Sequence, residues 1–175
     1  PKIVSSSLIS TDLYQHILLS VSNQTTLSSY NRSMMKVIFT LLYRTGLRIN
    51  ELLGIRLTDL EYDPYTYKDI NLIIRSNSHR ALKSDDGTRR IGLPVLLKPD
   101  EFEGLQTYFI ERTRSKKEGK YLFAFEGLLT PLDRGSVDRV FKEVIGPNYQ
   151  HLVLHSFRHN AISNMAVILR CRQEI

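Results

Sequence analysis

Basic side chains able to meet an anion stand at three places along this chain. Arg48 follows Gly46 by two residues in YRTGLRINELLGIRL, flanked by Leu47 and Ile49. Lys83 precedes the turn-like stretch SDDGT. HSFRH, His155–His159, spaces His155 and Arg158 three residues apart, so at the start of a helix they share one face. An arginine so placed grips two phosphate oxygens with its planar fork, while the imidazole donates to a third. Each feature alone also has an ordinary reading: Arg48 as a solvated surface residue, His155 as a cap or core histidine, Arg158 as half of a surface ion pair.

Phosphoryl transfer is the chemistry such groups suit, because it gathers negative charge on equatorial oxygens that prepositioned donors must neutralise. Two guanidiniums can substitute for the metal ions many nucleases use. No Asp/Glu cluster with metal-ligand spacing occurs, and Asp85–Asp86 reads as turn chemistry. No cofactor is expected. The net charge of +6 over 175 residues favours polyanionic partners. The single Cys171 excludes an internal disulfide and fits a reducing cytosol. No apolar run approaches the roughly 18 residues of a membrane span, and no signal-peptide pattern opens the chain. The start, PKIVSSSLIS, lacks an initiator Met, which suggests a piece of a longer protein.

Helical periodicity runs from Thr11 to Val21, with Leu13, Ile17 and Leu18 on one stripe, and again from Ser28 to Arg44. In the second helix Met34, Met35, Ile38, Leu41 and Leu42 form the apolar face, and Gly46 is placed to end it in a left-handed conformation. A short helix over Asn50–Gly54 turns Leu52 and Leu53 inward. Asp69–Ser76 alternates Ile70, Leu72 and Ile74 with period two. HRALK and RRIGL flank Asp86–Gly87 and predict a β-hairpin. From Pro99 a helix carries Asp100, Glu101 and Glu103 early and Arg112, Arg114, Lys116 and Lys117 late, in the order its dipole favours; Gly119 can close it. YLFAF reads as buried extended chain, and helices follow over Asp133–Val144 and His155–Arg170. The fold class is α+β, mostly α, with one small antiparallel sheet near the middle. A single domain accounts for the length.

Taken together and in order, GLRINELLGIRLTDL, a hairpin lysine with a basic strand leaving it, and HSFRH resemble the catalytic domain of the tyrosine recombinases, the phage integrase family. The family's first motif reads like TGLRxxELLxLxxxDL, which Thr45–Leu60 matches. Lys83–Ser84 and TRRIGLP through Pro94 fill the places of its hairpin lysine and basic strand. His155–Ala161 match its HxLRH motif, with Phe157 replacing the usual leucine.

The resemblance implies that Arg48 and Arg158 flank a scissile DNA phosphate and that His155 hydrogen-bonds it or aids proton transfer. It implies that Lys83 protonates the departing 5′-hydroxyl and that Glu51 braces the arginine or a neighbouring histidine. His159 abuts the active arginine, and Arg75, Arg80, Arg89 and Arg90 are expected to face DNA backbone. The family's nucleophilic tyrosine lies well downstream of HxxR, whereas the last tyrosine here is Tyr149. No nucleophile is assignable, and a recombinase domain truncated before it is expected, inactive alone and lacking the family's N-terminal DNA-clamping domain. The expected partners are double-stranded DNA and, for the parent protein, further copies in a tetramer. The expected setting is the cytoplasm of a bacterium, phage or mobile element. Alternatives are a strand-nicking topoisomerase fragment, a non-catalytic DNA-binding or assembly module, and a basic helical domain with coincidental motifs.

Overall fold

The computed structural model describes residues 8–76, 88–114 and 119–173, of which 166–173 are described for the backbone alone. Two helices open the fold, each started by a serine. α1 spans Thr11–Ser22 and α2 spans Ser29–Thr45; Ser10 and Ser28 accept through Oγ from the amides of Leu13 and Asn31, both at 3.2 Å. α2 is the central element. Its consecutive residues Val37–Tyr43 are all buried, not only the expected face, because α1, α5 (Pro99–Arg114) and α7 (Leu154–Gln173) pack on it from different sides. Enclosed on this stretch, the helix has its exposed residues, Ser29 and Lys36, only in its first half.

Gly46 ends α2 with φ of 66°, its amide donating to the Leu42 carbonyl. Only glycine fits twice over, since an added Cβ would also meet the Ala161 Cβ at 3.0 Å. The chain then enters α3, Ile49–Leu53, which buries Leu52 and Leu53 as expected.

Three antiparallel strands, β1 (Leu60–Glu61), β2 (Asn71–Ile74) and β3 (Arg89–Gly92), lie in the order β1-β2-β3. Ile70, Leu72 and Ile74 are buried, as their alternation predicted. The described partner of the basic strand is NLII, with Leu72 opposite Ile91 and Ile74 opposite Arg89. HRALK, Lys83 and the Asp86–Gly87 turn lie outside the described residues. A single helical turn, α4 (Leu93–Leu96), leads from the sheet to α5.

The charges at the two ends of α5 do more than offset its dipole. Glu101 takes a forked pair from Arg44, at 3.0 Å from Nε and 2.9 Å from Nη2, and a third hydrogen bond from the Tyr14 hydroxyl at 3.0 Å. Burial, the largest influence on Tyr14, pushes its hydroxyl pKa well above the usual phenol range. Arg112 has a role beyond the helix dipole. It is 1% exposed, and its guanidinium donates to the carbonyls of Tyr121 and Gly119. Gly119 thus anchors the following segment through its carbonyl, and a Cβ there would meet the Leu129 carbonyl oxygen at 2.5 Å. Tyr121–Ala124 is buried, with Tyr121 bridged antiparallel to Arg56 and bends at Leu122 and Phe123 in place of a continuous extended run.

α6, Arg134–Val144, is capped by Asp133, which accepts from the Ser136 amide at 2.9 Å. Three phenylalanines tie the elements that carry the site: Phe39 of α2, Phe141 of α6 and Phe157 of α7 have ring centroids 5.4–5.9 Å apart. Phe157, the departure from the leucine of the HxLRH pattern, thus belongs to the core and sets the position of the turn bearing His155 and Arg158.

Candidate phosphate-binding cleft

Arg48 caps the N-terminus of α3 in extended conformation, 43% of its side chain exposed. Glu51, one turn on, reaches back to it. The carboxylate accepts the Arg48 backbone amide at 2.8 Å and the guanidinium Nη1 at 3.3 Å. Arg89, from β3, donates Nη2 to the same carboxylate at 3.0 Å. Burial alone would raise the pKa of Glu51, but the Arg48 amide and the guanidiniums of Arg89 and Arg48 outweigh it and hold the carboxyl below its ordinary value. Of the two roles expected for Glu51, bracing the arginine is the one its hydrogen bonds perform.

Arg158 approaches from α7. Its Nη1 donates to the Gly46 carbonyl at 2.5 Å, so the turn that introduces Arg48 also orients Arg158. Burial and then the neighbouring Arg48 lower the arginine's pKa, without bringing an arginine near deprotonation. His155, one turn earlier on α7, stands edge-on to His159 with ring centroids 4.7 Å apart. Its pKa is lowered, first by desolvation and then by the charges of His159, Arg158, Arg48 and Arg134. The shift favours the neutral imidazole, which donates from one nitrogen and accepts at the other.

Arg48, His155 and Arg158 line one hollow of about 150 Å³, with Leu47, Ile49 and Leu154 supplying its apolar share. The hollow also includes Asn50 and Arg134, which sequence reasoning missed. Arg134 had one legible signal: a cation on the first residue of a helix stands against the helix dipole. A larger hollow of about 350 Å³ opens among α1, α2 and α5, but its charged residues are Lys36, Asp100 and Glu101. The smaller one concentrates cations.

The sheet arginines are each engaged with a carboxylate. Arg75 donates Nε to Asp59 at 2.5 Å, and Arg90 pairs with Glu61 at 2.8 Å. Arg89 is bound into the cleft through Glu51. Lys83 and Arg80 lie outside the described residues. Among those described, no three His, Cys, Asp or Glu side chains gather closely enough to hold a metal ion.

A mostly helical fold with a small antiparallel sheet, in which two arginines and a histidine converge between α3 and α7, matches the tyrosine recombinase catalytic domain. Residues 11–167 match the sequence profile of the Phage integrase family, and the chain belongs to that family. No curated protein sequence matches it. Among solved structures, XerA recombinase superposes with a TM-score of 0.63 at 17% identity, over 91% of this chain and 50% of its own. XerH site-specific recombinase bound to difH substrate in a pre-cleavage complex gives 0.63 at 19% identity, over 97% and 44%. A lambda integrase (75–356) dimer bound to a COC′ core site gives 0.54 at 16% identity, over 92% and 52%. The chain thus spans about half the length of the structures it resembles.

Proposed function

We propose that the cleft holds a DNA phosphodiester between Arg48 and Arg158 and that the chain serves strand cleavage and rejoining by transesterification. The observation that carries this reading is the meeting of two guanidiniums and an imidazole, from segments more than 100 residues apart, in one hollow. The guanidiniums meet the charge that builds on the non-bridging oxygens. His155, in its neutral form, hydrogen-bonds the same group or passes a proton. Lys83 serves as acid for the departing 5′-hydroxyl, and Arg80 and the sheet arginines steer the duplex backbone. Recombinases of like fold captured on DNA, XerH with difH and lambda integrase with its core site, support duplex DNA as substrate.

Among the described residues no tyrosine lines the hollow. An attacking hydroxyl brought to the cleft from elsewhere, with self-association on DNA as its setting, completes this reading. The same observation favours, as a second reading, a DNA-holding module without cleavage of its own.

Binding to duplex DNA tests the shared part. Arg48→Gln and Arg158→Gln should each weaken affinity and flatten its salt dependence by about 0.9 log unit per log unit of salt; unchanged binding in both variants defeats both readings. Cleavage separates them. In a protein that includes the attacking tyrosine, Arg158→Ala should slow strand cleavage about 10²–10³-fold, and a protein that never cleaves leaves only the second reading.

A further inference from the structure

We propose that Arg134 holds a second phosphate of the same DNA strand, adjacent to the one between Arg48 and Arg158. The inference rests on the reading of the cleft as a DNA site and extends it by one nucleotide. Arg134 borders two neighbouring hollows. One is the 150 Å³ site of the arginine pair; the other, of about 290 Å³, runs between the end of α3 at Leu53–Gly54 and the segment Pro131–Asp133. Asn50 and Arg134 are common to both, so a strand leaving the first hollow enters the second past Arg134. Successive phosphates of one strand are spaced closely along a duplex, about 3.4 Å of helix axis per charge.

Charge balance calls for the second anion. Arg48 and Arg89 share the single carboxylate of Glu51, and Arg158 is bonded to a neutral carbonyl. Arg134 is exposed and makes no hydrogen bond or ion pair among the described residues. Among the described residues these four guanidiniums stand with two carboxylates, Glu51 and the Asp133 beside Arg134, and the remaining excess of two positive charges is more than one phosphodiester, with a single negative charge, cancels. Arg134 also occupies the first position of α6, where the helix dipole opposes a cation. Asp133 already caps that helix end and borders the second hollow, so an anion there would depend on the Arg134 side chain. The lowered pKa of His155, to which Arg134 contributes, agrees with this placement.

Binding of the protein to a 20-base-pair duplex, measured against KCl concentration, tests the proposal in Arg134→Gln, Arg158→Gln and the double variant. Each single change should flatten the log–log slope by about 0.9, and the double by about 1.8, because separate phosphates are lost. Arg134→Lys should keep the slope. Arg134→Glu suits the helix dipole, so its melting temperature should hold or rise while affinity falls further than in Arg134→Gln, which separates binding from folding. A slope unchanged in Arg134→Gln but flattened in Arg158→Gln overturns this proposal and leaves the cleft reading intact. A double variant no flatter than the singles overturns the second phosphate, since both arginines would then share one. No change in any variant removes the cleft reading as well.

Discussion

Glu51 holds more of the cleft than its single charge suggests, since it orders Arg48 through backbone and side chain while drawing in Arg89 from the sheet. Glu51→Gln keeps an acceptor but removes the charge, and hydrogen bonds to charged groups contribute about 1.5–3 kcal/mol. A loss of about 1–3 kcal/mol in unfolding free energy at pH 7 is expected from urea titration. Because the folded pKa of Glu51 is lowered, its contribution is present above the unfolded value and fades as pH falls through the folded one. The variant's stability should therefore depend less on pH below about 4.5 than that of the parent.

His155 behaves in the opposite sense. Its folded pKa lies below the ordinary 6.5, so the unfolded chain binds the proton more readily and this residue favours folding less as pH falls below 6.5. Two-dimensional NMR should show a titration midpoint below 6.5 in the free protein. The midpoint should rise when a phosphate-bearing ligand offsets Arg48, Arg158 and Arg134, and an unmoved midpoint in saturating DNA would place the phosphate elsewhere. Arg48, His155 and Arg158 were legible as a set because short motifs fix their spacing. Arg134 was not, since it joins them only through the packing of α6 beside α3, which no local pattern encodes.

At the scale of elements, the left-handed turn at Gly46 and the phenylalanine cluster under α7 place the chemistry. Gly46→Ala strains the backbone at positive φ and presses a methyl onto Ala161. It should cost about 1–3 kcal/mol and, by displacing the carbonyl that holds Arg158, weaken DNA binding beyond what stability alone explains. Binding measured well below the melting transition checks this. Phe157→Ala opens a cavity between Phe39 and Phe141 and should destabilise by about 3–5 kcal/mol in denaturant unfolding.

Helices α1, α2, α3, α5, α6 and α7 were readable from periodicity and caps. What eluded the sequence was which neighbours each would meet. The late charges of α5 read only as partners of its dipole until the Tyr121 segment passes close enough to take the Arg112 guanidinium into the core. α2 looked one-faced because the spacing of its apolar residues cannot report how many helices surround it.

At the scale of the molecule, one packed core supports a shallow, cation-rich cleft. Incubating the chain with duplex DNA and resolving the products under denaturing conditions should show no protein–DNA adduct, since among the described residues no tyrosine borders the cleft; a tyrosine-linked band would reverse that expectation. The family was legible from order and spacing, because the first and second motifs keep their sequence over nearly the whole chain and residues 11–167 carry the family profile. The geometry of the hollow was not, because it is made where distant segments touch.

That touching has a consequence for synthesis. Gly46 and Arg158 are 112 residues apart, yet one hydrogen bond joins them. While the ribosome has released only the first helices and the sheet, the nascent chain displays Arg48 and its carboxylate brace without the second arm of the clamp. The arginine pair is thus completed in one late step, when α7 docks, and a chain interrupted before that point lacks the half of the cleft that Arg158 supplies.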